Sequence, residues 1–220
     1  MGKVYDCAMI VMRAQTFHKG HQHLIDMALA LSDRVLIFVG SAQECGTKRN
    51  PLNVGTRMNA IRAIYDDEKK VMIEPLTDMT NEDDINTDWG KYVLENCKRY
   101  IHKAPSIILY GKEEGRDGYS WFADDDMKKT TQVIVNRSDI PICATYLRDL
   151  MCMDRREEWM EWVDDKLHKY YDSLRSEMMS VPYYQQRAID LLTGKVQIGA
   201  SGDSGLKKEV PADGETENEN

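Results

Sequence analysis

Two imidazoles three positions apart, with a glycine between them, are the most informative feature of the chain. They sit in Arg13-Ala14-Gln15-Thr16-Phe17-His18-Lys19-Gly20-His21. Imidazole and guanidinium groups donate hydrogen bonds to phosphate oxygens and offset the charge that builds on a bridging oxygen as it becomes a leaving group. Glycine lets the backbone come close to a ligand. A second cluster, Ile142-Cys143-Ala144-Thr145-Tyr146-Leu147-Arg148, follows Pro141. There Thr145 can cap a helix start, and Arg148, one turn on, can aim its fork at the same phosphates. Competing readings of His18, His21 and His23 are a transition-metal set or plain surface histidines. Their spacing lacks the usual i,i+4 pairing, and no nearby carboxylate or thiol completes a metal set.

Donors of this kind act together only if secondary structure brings them to one place. Residues 4–12, VYDCAMIVM, read as a buried strand. From Gly20 onward Leu24, Met27, Ala28 and Leu31 fall at helical spacing, and RVLIFVG at 34–40 is a second strand. Strand, helix, strand is a parallel crossover, which puts the imidazoles at a strand-to-helix turn, where free amides and the helix dipole attract anions. A polar loop from Ser41 to Asn53 leads to a helix at about 55–65 and a strand, KVMIEP, at 70–75. A helix at about 88–102 then leads to strands SIILYG at 106–111 and TTQVIVN at 130–136. The expectation is an α/β fold: a doubly wound, Rossmann-like parallel sheet of five to six strands with C-terminal helices. Thr145–Met151 is expected as one helix and Arg155–Met179 as another, its Trp159, Trp162, Val163, Leu167 and Tyr170 at three- and four-residue steps. Residues 1–150 then form the α/β domain, 151–195 a helical extension packed on it or on a neighbouring subunit, and 196–220 an acidic, disordered tail.

The formal charge is −8, and residues 203–220 supply half of it. No Lys/Arg-dense block stands against this, so nucleic acid is not an expected partner. The five cysteines are scattered and never spaced C-x-x-C, which argues against a disulfide framework or zinc site and fits a reducing compartment. No segment approaches the roughly 20 apolar residues needed to span a bilayer, and no signal-peptide pattern opens the chain, so a cytoplasmic protein without membrane partners is expected. Trp159, Trp162, Tyr170, Tyr171, Tyr183 and Tyr184 suggest subunit contacts and hence a homo-oligomer.

The string HKGH at 18–21 with T-x-x-R at 145–148 resembles the nucleotidylyltransferase superfamily. RAQTFHKGH, GSAQ at 40–43, RNPLNVGTR at 49–57 and DINTDWGKYV at 84–93 narrow the resemblance to archaeal-type nicotinamide-nucleotide adenylyltransferases. They also resemble the equivalent domain of bifunctional enzymes that carry a Nudix hydrolase, in which a segment like LYGKEEGRDGYSWF at 109–122 occurs. No Nudix box is found. The resemblance covers roughly residues 5–150 and implies adenylyl transfer from ATP to nicotinamide mononucleotide, with Mg²⁺ held mainly by the phosphates. It implies that His18, His21 and Arg148 are catalytic, and that Arg13, Gln15, Phe17, Gly20, Gly40 and Thr145 hold ATP. Ser41, Gln43, Arg49, Asp84, Asn86 and Trp89 would hold the mononucleotide, with Trp89 stacked on its ring. Arg57 has two open roles, bracing the 41–53 loop or touching ligand. The chain departs from the family at Thr16, where Pro is common, and at Cys143, where Ser or Thr is common. Other acceptors (nicotinate mononucleotide, phosphopantetheine, flavin mononucleotide) and a non-catalytic nucleotide sensor are the alternatives.

Overall fold

A computed structural model of the chain describes residues 2–67, 69–79, 87–111, 122–128, 130–135 and 140–199. The apolar runs are strands: β1 (Tyr5–Met12), β2 (Ser32–Val39), β3 (Val71–Pro75), β4 (Ile107–Gly111) and β5 (Thr131–Val135). They form one parallel sheet in the order β3-β2-β1-β4-β5. Strand runs of this kind are apolar at successive positions because both faces are covered. Ala8, Ile10, Val35, Ile37, Ile107 and Leu109 point into one core, and Cys7, Met9, Leu36, Phe38 and Ile108 into the other.

Helices α1 (Lys19–Leu31) and α2 (Val54–Ile64) supply Ile25, Ala28 and Ile61 to the first core, whereas α3 (Asp88–Ile101) supplies Val93, Leu94 and Cys97 to the second. A short α4 (Asp124–Met127) precedes β5. The chain then runs through α5 (Ala144–Cys152), α6 (Arg156–Glu161), α7 (Asp165–His168), α8 (Tyr171–Met179) and α9 (Pro182–Leu192). Strand order reverses between β1 and β4, and the crevice beyond the carboxyl ends of those strands is where folds of this type bind ligands.

The single helix expected over 155–179 is three. Asp164 caps a new start by accepting the Lys166 N–H at 3.0 Å, a local bond that competes with helix continuation. The break also leaves two carbonyls available: Trp162 accepts the Lys19 N–H at 2.9 Å and Glu161 accepts Lys19 Nζ at 2.7 Å, both at the first turn of α1. Nor do the aromatics of this region form one outward face. Trp159, Tyr171 and Tyr184 are 0%, 1% and 3% exposed and belong to the same core as Ala8 and Ile10 of β1, while Tyr170 and Tyr183 remain half-exposed. Among the described residues no helix is long and apolar enough to cross a membrane.

Candidate active site

The geometry of the first motif follows from how α1 begins. His18 is its N-cap, with extended backbone (φ −151°, ψ 171°), and its Nδ1 accepts the Gly20 N–H at 3.1 Å. A neutral imidazole that accepts at Nδ1 carries its proton on Nε2, which makes the other edge of the His18 ring its donor edge. The His21 ring lies 3.9 Å from that of His18, centroid to centroid, and buried Phe17 stacks behind it at 5.6 Å and 18°. The free amides expected at this helix start are engaged: Lys19 donates to Trp162, Gly20 to the His18 ring, and the His21 N–H to the His18 carbonyl at 2.9 Å. Side chains therefore carry the donor function here.

Gly20 has a steric reason to be glycine. A Cβ there would stand 3.0 Å from His18 Cε1 and Nδ1 and 3.2 Å from Ile142 Cγ2. Gly20→Ala is expected to push the imidazole aside by a few tenths of an ångström and lower turnover about tenfold, since misplacement by about 1 Å can cost 10²-fold. The check is steady-state kinetics beside a thermal melt. A variant as active as the parent would show that the His18 position is not critical.

The second cluster arrives from α5. Its cap is Cys143, whose Sγ accepts the Tyr146 N–H at 3.5 Å, not Thr145 as expected. The position immediately before the first helical residue does the capping, and a thiol there is a weaker acceptor than a hydroxyl. Thr145 sits inside the first turn, where its Oγ1 accepts Arg148 Nη2 at 3.1 Å. The Nη1 of Arg148 donates to the Gln15 carbonyl, so clusters 133 residues apart in sequence meet at the turn between β1 and α1.

The remaining predicted residues that are described lie past the ends of β1 and β2 and in the first turn of α3. Arg13 is exposed just past β1. Gly40 directly follows β2, and Ser41 comes next in the left-handed region at φ 49°. Ser41 Oγ and N–H both donate to Asp78, at 2.6 and 3.1 Å, while Gln43 Oε1 accepts the Asp78 N–H at 3.0 Å. Buried Gln15 engages its amide with the loop, donating to Leu52 O at 3.0 Å and accepting the Leu52 N–H at 2.9 Å. Arg49 is exposed at the tip of that loop. Trp89, in the first turn of α3, is half-buried and 5.6 Å from Tyr92. Asp84 and Asn86 lie outside the described residues.

Arg57 takes the bracing role. It is 1% exposed and donates to the carbonyls of Arg13 (2.9 Å), Gly40 (2.7 Å), Ser41 (3.0 Å) and Asn53 (3.3 Å). Burial holds its guanidinium pKa below the usual value, and Asp78 opposes that shift. Asp78 itself was not found from the sequence, because a single acid after a strand carries no spacing signal. Among the described residues no group of three or more His, Cys, Asp or Glu could hold a metal ion. The converging imidazoles and guanidinium are hydrogen-bond donors, a set that suits phosphate oxygens rather than a cation.

A cytidylyltransferase-like family model matches residues 13–149. A nicotinamide-nucleotide adenylyltransferase from Ignicoccus hospitalis is 39% identical over 115 residues, covering 49% of this chain and 65% of the relative. One from Thermococcus kodakarensis is 32% identical over 174 residues, covering 76% of this chain and 82% of the relative. Among solved structures, a bifunctional NMN adenylyltransferase/ADP ribose pyrophosphatase from Francisella tularensis, complexed with AMP and a manganese ion, superposes with a TM-score of 0.60 at 23% identity. That superposition covers 86% of this chain and 53% of the Francisella protein, and it speaks to the fold alone. This chain thus spans just under two thirds of the Ignicoccus protein and about half of the bifunctional one. With the motif, the sheet order and the length of the match in agreement, the chain belongs to the cytidylyltransferase-like family of nucleotidyltransferases, together with nicotinamide-nucleotide adenylyltransferases.

Proposed function

We propose that this chain transfers the adenylyl group of ATP to nicotinamide mononucleotide, giving NAD and pyrophosphate. The observation that carries the reading is the convergence of His18, His21 and Arg148 on one turn beyond the carboxyl end of β1, next to the reversal of strand order. The relatives named for this activity supply the acceptor.

The reaction is in-line attack by a phosphate oxygen of the mononucleotide on the α-phosphorus of ATP. A new P–O bond forms, the bond to the β-phosphate bridging oxygen breaks, and pyrophosphate leaves with that electron pair. A phosphate monoester is already anionic at neutral pH, so no protein nucleophile is required. The protein's work is to align two anions and offset their charge. His18 offers its Nε2–H and His21 its ring to the triphosphate, Arg148 reaches in from α5, and Arg13 adds charge at the mouth. Thr145 orients Arg148. Phe17 and Gly20 set the two rings, and Gln15, through Leu52, sets the loop. Gly40, Ser41 and Gln43 border the acceptor, Arg49 meets its phosphate, and Trp89 stacks on its pyridine ring with Asp84 and Asn86 alongside. A divalent cation, Mg²⁺ in the cell, arrives as the complex of ATP and is held by phosphate oxygens, a reading supported by the donor character of the site and by the metal and AMP in the Francisella structure.

The decisive experiment incubates the purified chain with ATP, Mg²⁺ and each of nicotinamide mononucleotide, nicotinate mononucleotide, phosphopantetheine and flavin mononucleotide, following pyrophosphate and dinucleotide together. NAD and pyrophosphate in equal amounts, with the highest kcat/KM for nicotinamide mononucleotide, is the expected result. A higher value for another acceptor would move the assignment to that acceptor. ATP binding without pyrophosphate from any of the four would replace the enzyme with a sensor.

A further inference from the structure

We propose that α9 is a strut that sets the distance between two phosphate-facing elements, and that Tyr184 on it is a positioning residue for Arg49. The proposal rests on the functional reading above for what Arg49 meets, though not for how the loop is held.

The loop between β2 and α2 closes on itself. Asn50 N–H donates to Thr47 Oγ1 at 2.9 Å, Asn50 Nδ2 to Glu44 Oε2 at 2.7 Å, and Thr47 N–H to the Asn50 carbonyl at 3.2 Å. These bonds shape a turn with Lys48 and Arg49 at its exposed tip, but they do not fix the turn against the rest of the molecule. Gln15 fixes its return leg from the sheet side, at Leu52 and, through Nε2 donating to Asn50 Oδ1 at 3.3 Å, at Asn50. The tip is held from the opposite side, by the C-terminal helices. Tyr184 Oη donates to the Lys48 carbonyl at 2.6 Å, one residue from Arg49 and 136 residues away in sequence, and the Lys48 ammonium lies 4.9 Å from the Tyr183 ring centroid. On α8, Glu177 accepts Asn53 N–H at 2.7 Å, Asn53 Nδ2 at 2.6 Å and Thr56 Oγ1 at 2.7 Å, which pins the point where the loop becomes α2.

The same α9 is fixed to α5, the helix of Arg148. Arg187 forms a bidentate pair with buried Asp149 at 2.9 and 2.7 Å, their side chains 11% and 3% exposed, and the Gly199 N–H donates to the same carboxylate at 2.8 Å. A bidentate, largely dry pair fixes orientation as well as distance. One rigid helix therefore reaches the Arg49 loop with Tyr184 and the Arg148 helix with Arg187. Two cations that must meet two different phosphates are thereby held at a set separation, although neither belongs to the helix that spaces them.

The test uses Tyr184→Phe, which keeps the ring in its buried place and removes only the hydroxyl. Loss of one such bond, about 1 kcal/mol, corresponds to roughly a fivefold change in an equilibrium. Limited trypsin digestion, read at Lys48 and Arg49 by mass spectrometry, should run about five times faster in the variant, with the melting temperature lowered by no more than about 4 °C. The KM for nicotinamide mononucleotide should rise by a similar factor, with kcat and the KM for ATP within about twofold. Equal cleavage rates would overturn the proposal, and so would faster cleavage with an unmoved acceptor KM. Glu177→Gln, which keeps one carbonyl oxygen as acceptor, and Glu177→Ala, which keeps none, repeat the test away from the packed core. Cleavage should rise in the order parent, Gln, Ala, and a flat series would count against the proposal. A parent chain that makes no dinucleotide from any acceptor would sink the functional reading alone, since the cleavage arm would still decide whether Tyr184 orders the loop.

Discussion

His21→Ala is expected to lower kcat by roughly 10²- to 10³-fold while the protein remains folded, the scale on which loss of one donor aimed at a developing charge acts. The imidazole is half-buried in the first turn of α1, stacked with Phe17 and 3.9 Å from the His18 ring, centroid to centroid. Its removal uncovers part of Phe17, at a cost of about 1 kcal/mol for the lost ring contact, and alanine's better helix propensity offsets some of that. Stability should therefore move little while rate moves by orders of magnitude. If the bond forms to charge that appears only as pyrophosphate departs, kcat and kcat/KM fall together and ATP affinity is kept. A weaker ATP affinity with kcat retained would mean that His21 binds the ground state, and near-normal turnover would remove it from the mechanism. Circular dichroism and a melting curve recorded beside the kinetics keep a folding defect from being read as a chemical one.

Which parts of this site are legible in the sequence follows from how local their causes are. The strands were, because a strand buried on both faces is a short, nearly unbroken apolar run, and IVM, LIFV and IIL leave no helical alternative of comparable length. The placement of His18, Gly20 and His21 at a strand-to-helix turn was, because one turn of one helix holds all three. The break after Glu161 was not: its apolar spacing continues without interruption, and part of what is gained by stopping, two carbonyls for the start of α1, lies more than 140 residues away. The cap of α5 was misplaced by two residues, since Thr145 is the stronger capper by type and only the backbone decides that Cys143 occupies the position. Free amides at the start of α1 were expected from the general geometry of such turns, and only the packed α6 and the rotamer of His18 show them engaged. Tyr184 and Glu177 fall in a stretch that reads as generic amphipathic helix, so their bonds to the loop carry no local signal at all.

Arg57 lies between these extremes, and Arg57→Ala is expected to cost the fold on the order of 3 to 5 kcal/mol, about 1 kcal/mol for each of the two buried carbonyls it abandons, those of Gly40 and Ser41, plus a cavity. Two of its acceptors flank residues in the left-handed region: Arg13 precedes Ala14 at φ 51°, and Gly40 precedes Ser41 at φ 49°. Neither Ala14 nor Ser41 is glycine, so each turn stores about 1–2 kcal/mol that the surroundings must offset. The guanidinium meets both turns at once, along with Ser41's own carbonyl and that of Asn53, so four donors tie the exits of β1 and β2 to the start of α2. For a chain of this size a loss of that order lowers the melting midpoint by roughly 10 °C. Arg57→Lys keeps the charge but not the planar fork, and should recover less than half of the loss. Kinetics then separate bracing from ligand contact. A brace shared by both strand exits raises the KM values for ATP and for nicotinamide mononucleotide together, in a variant kept well below its melting point. A change confined to one substrate at unaltered stability would mean that the guanidinium touches that substrate and that the four carbonyls find water in its place.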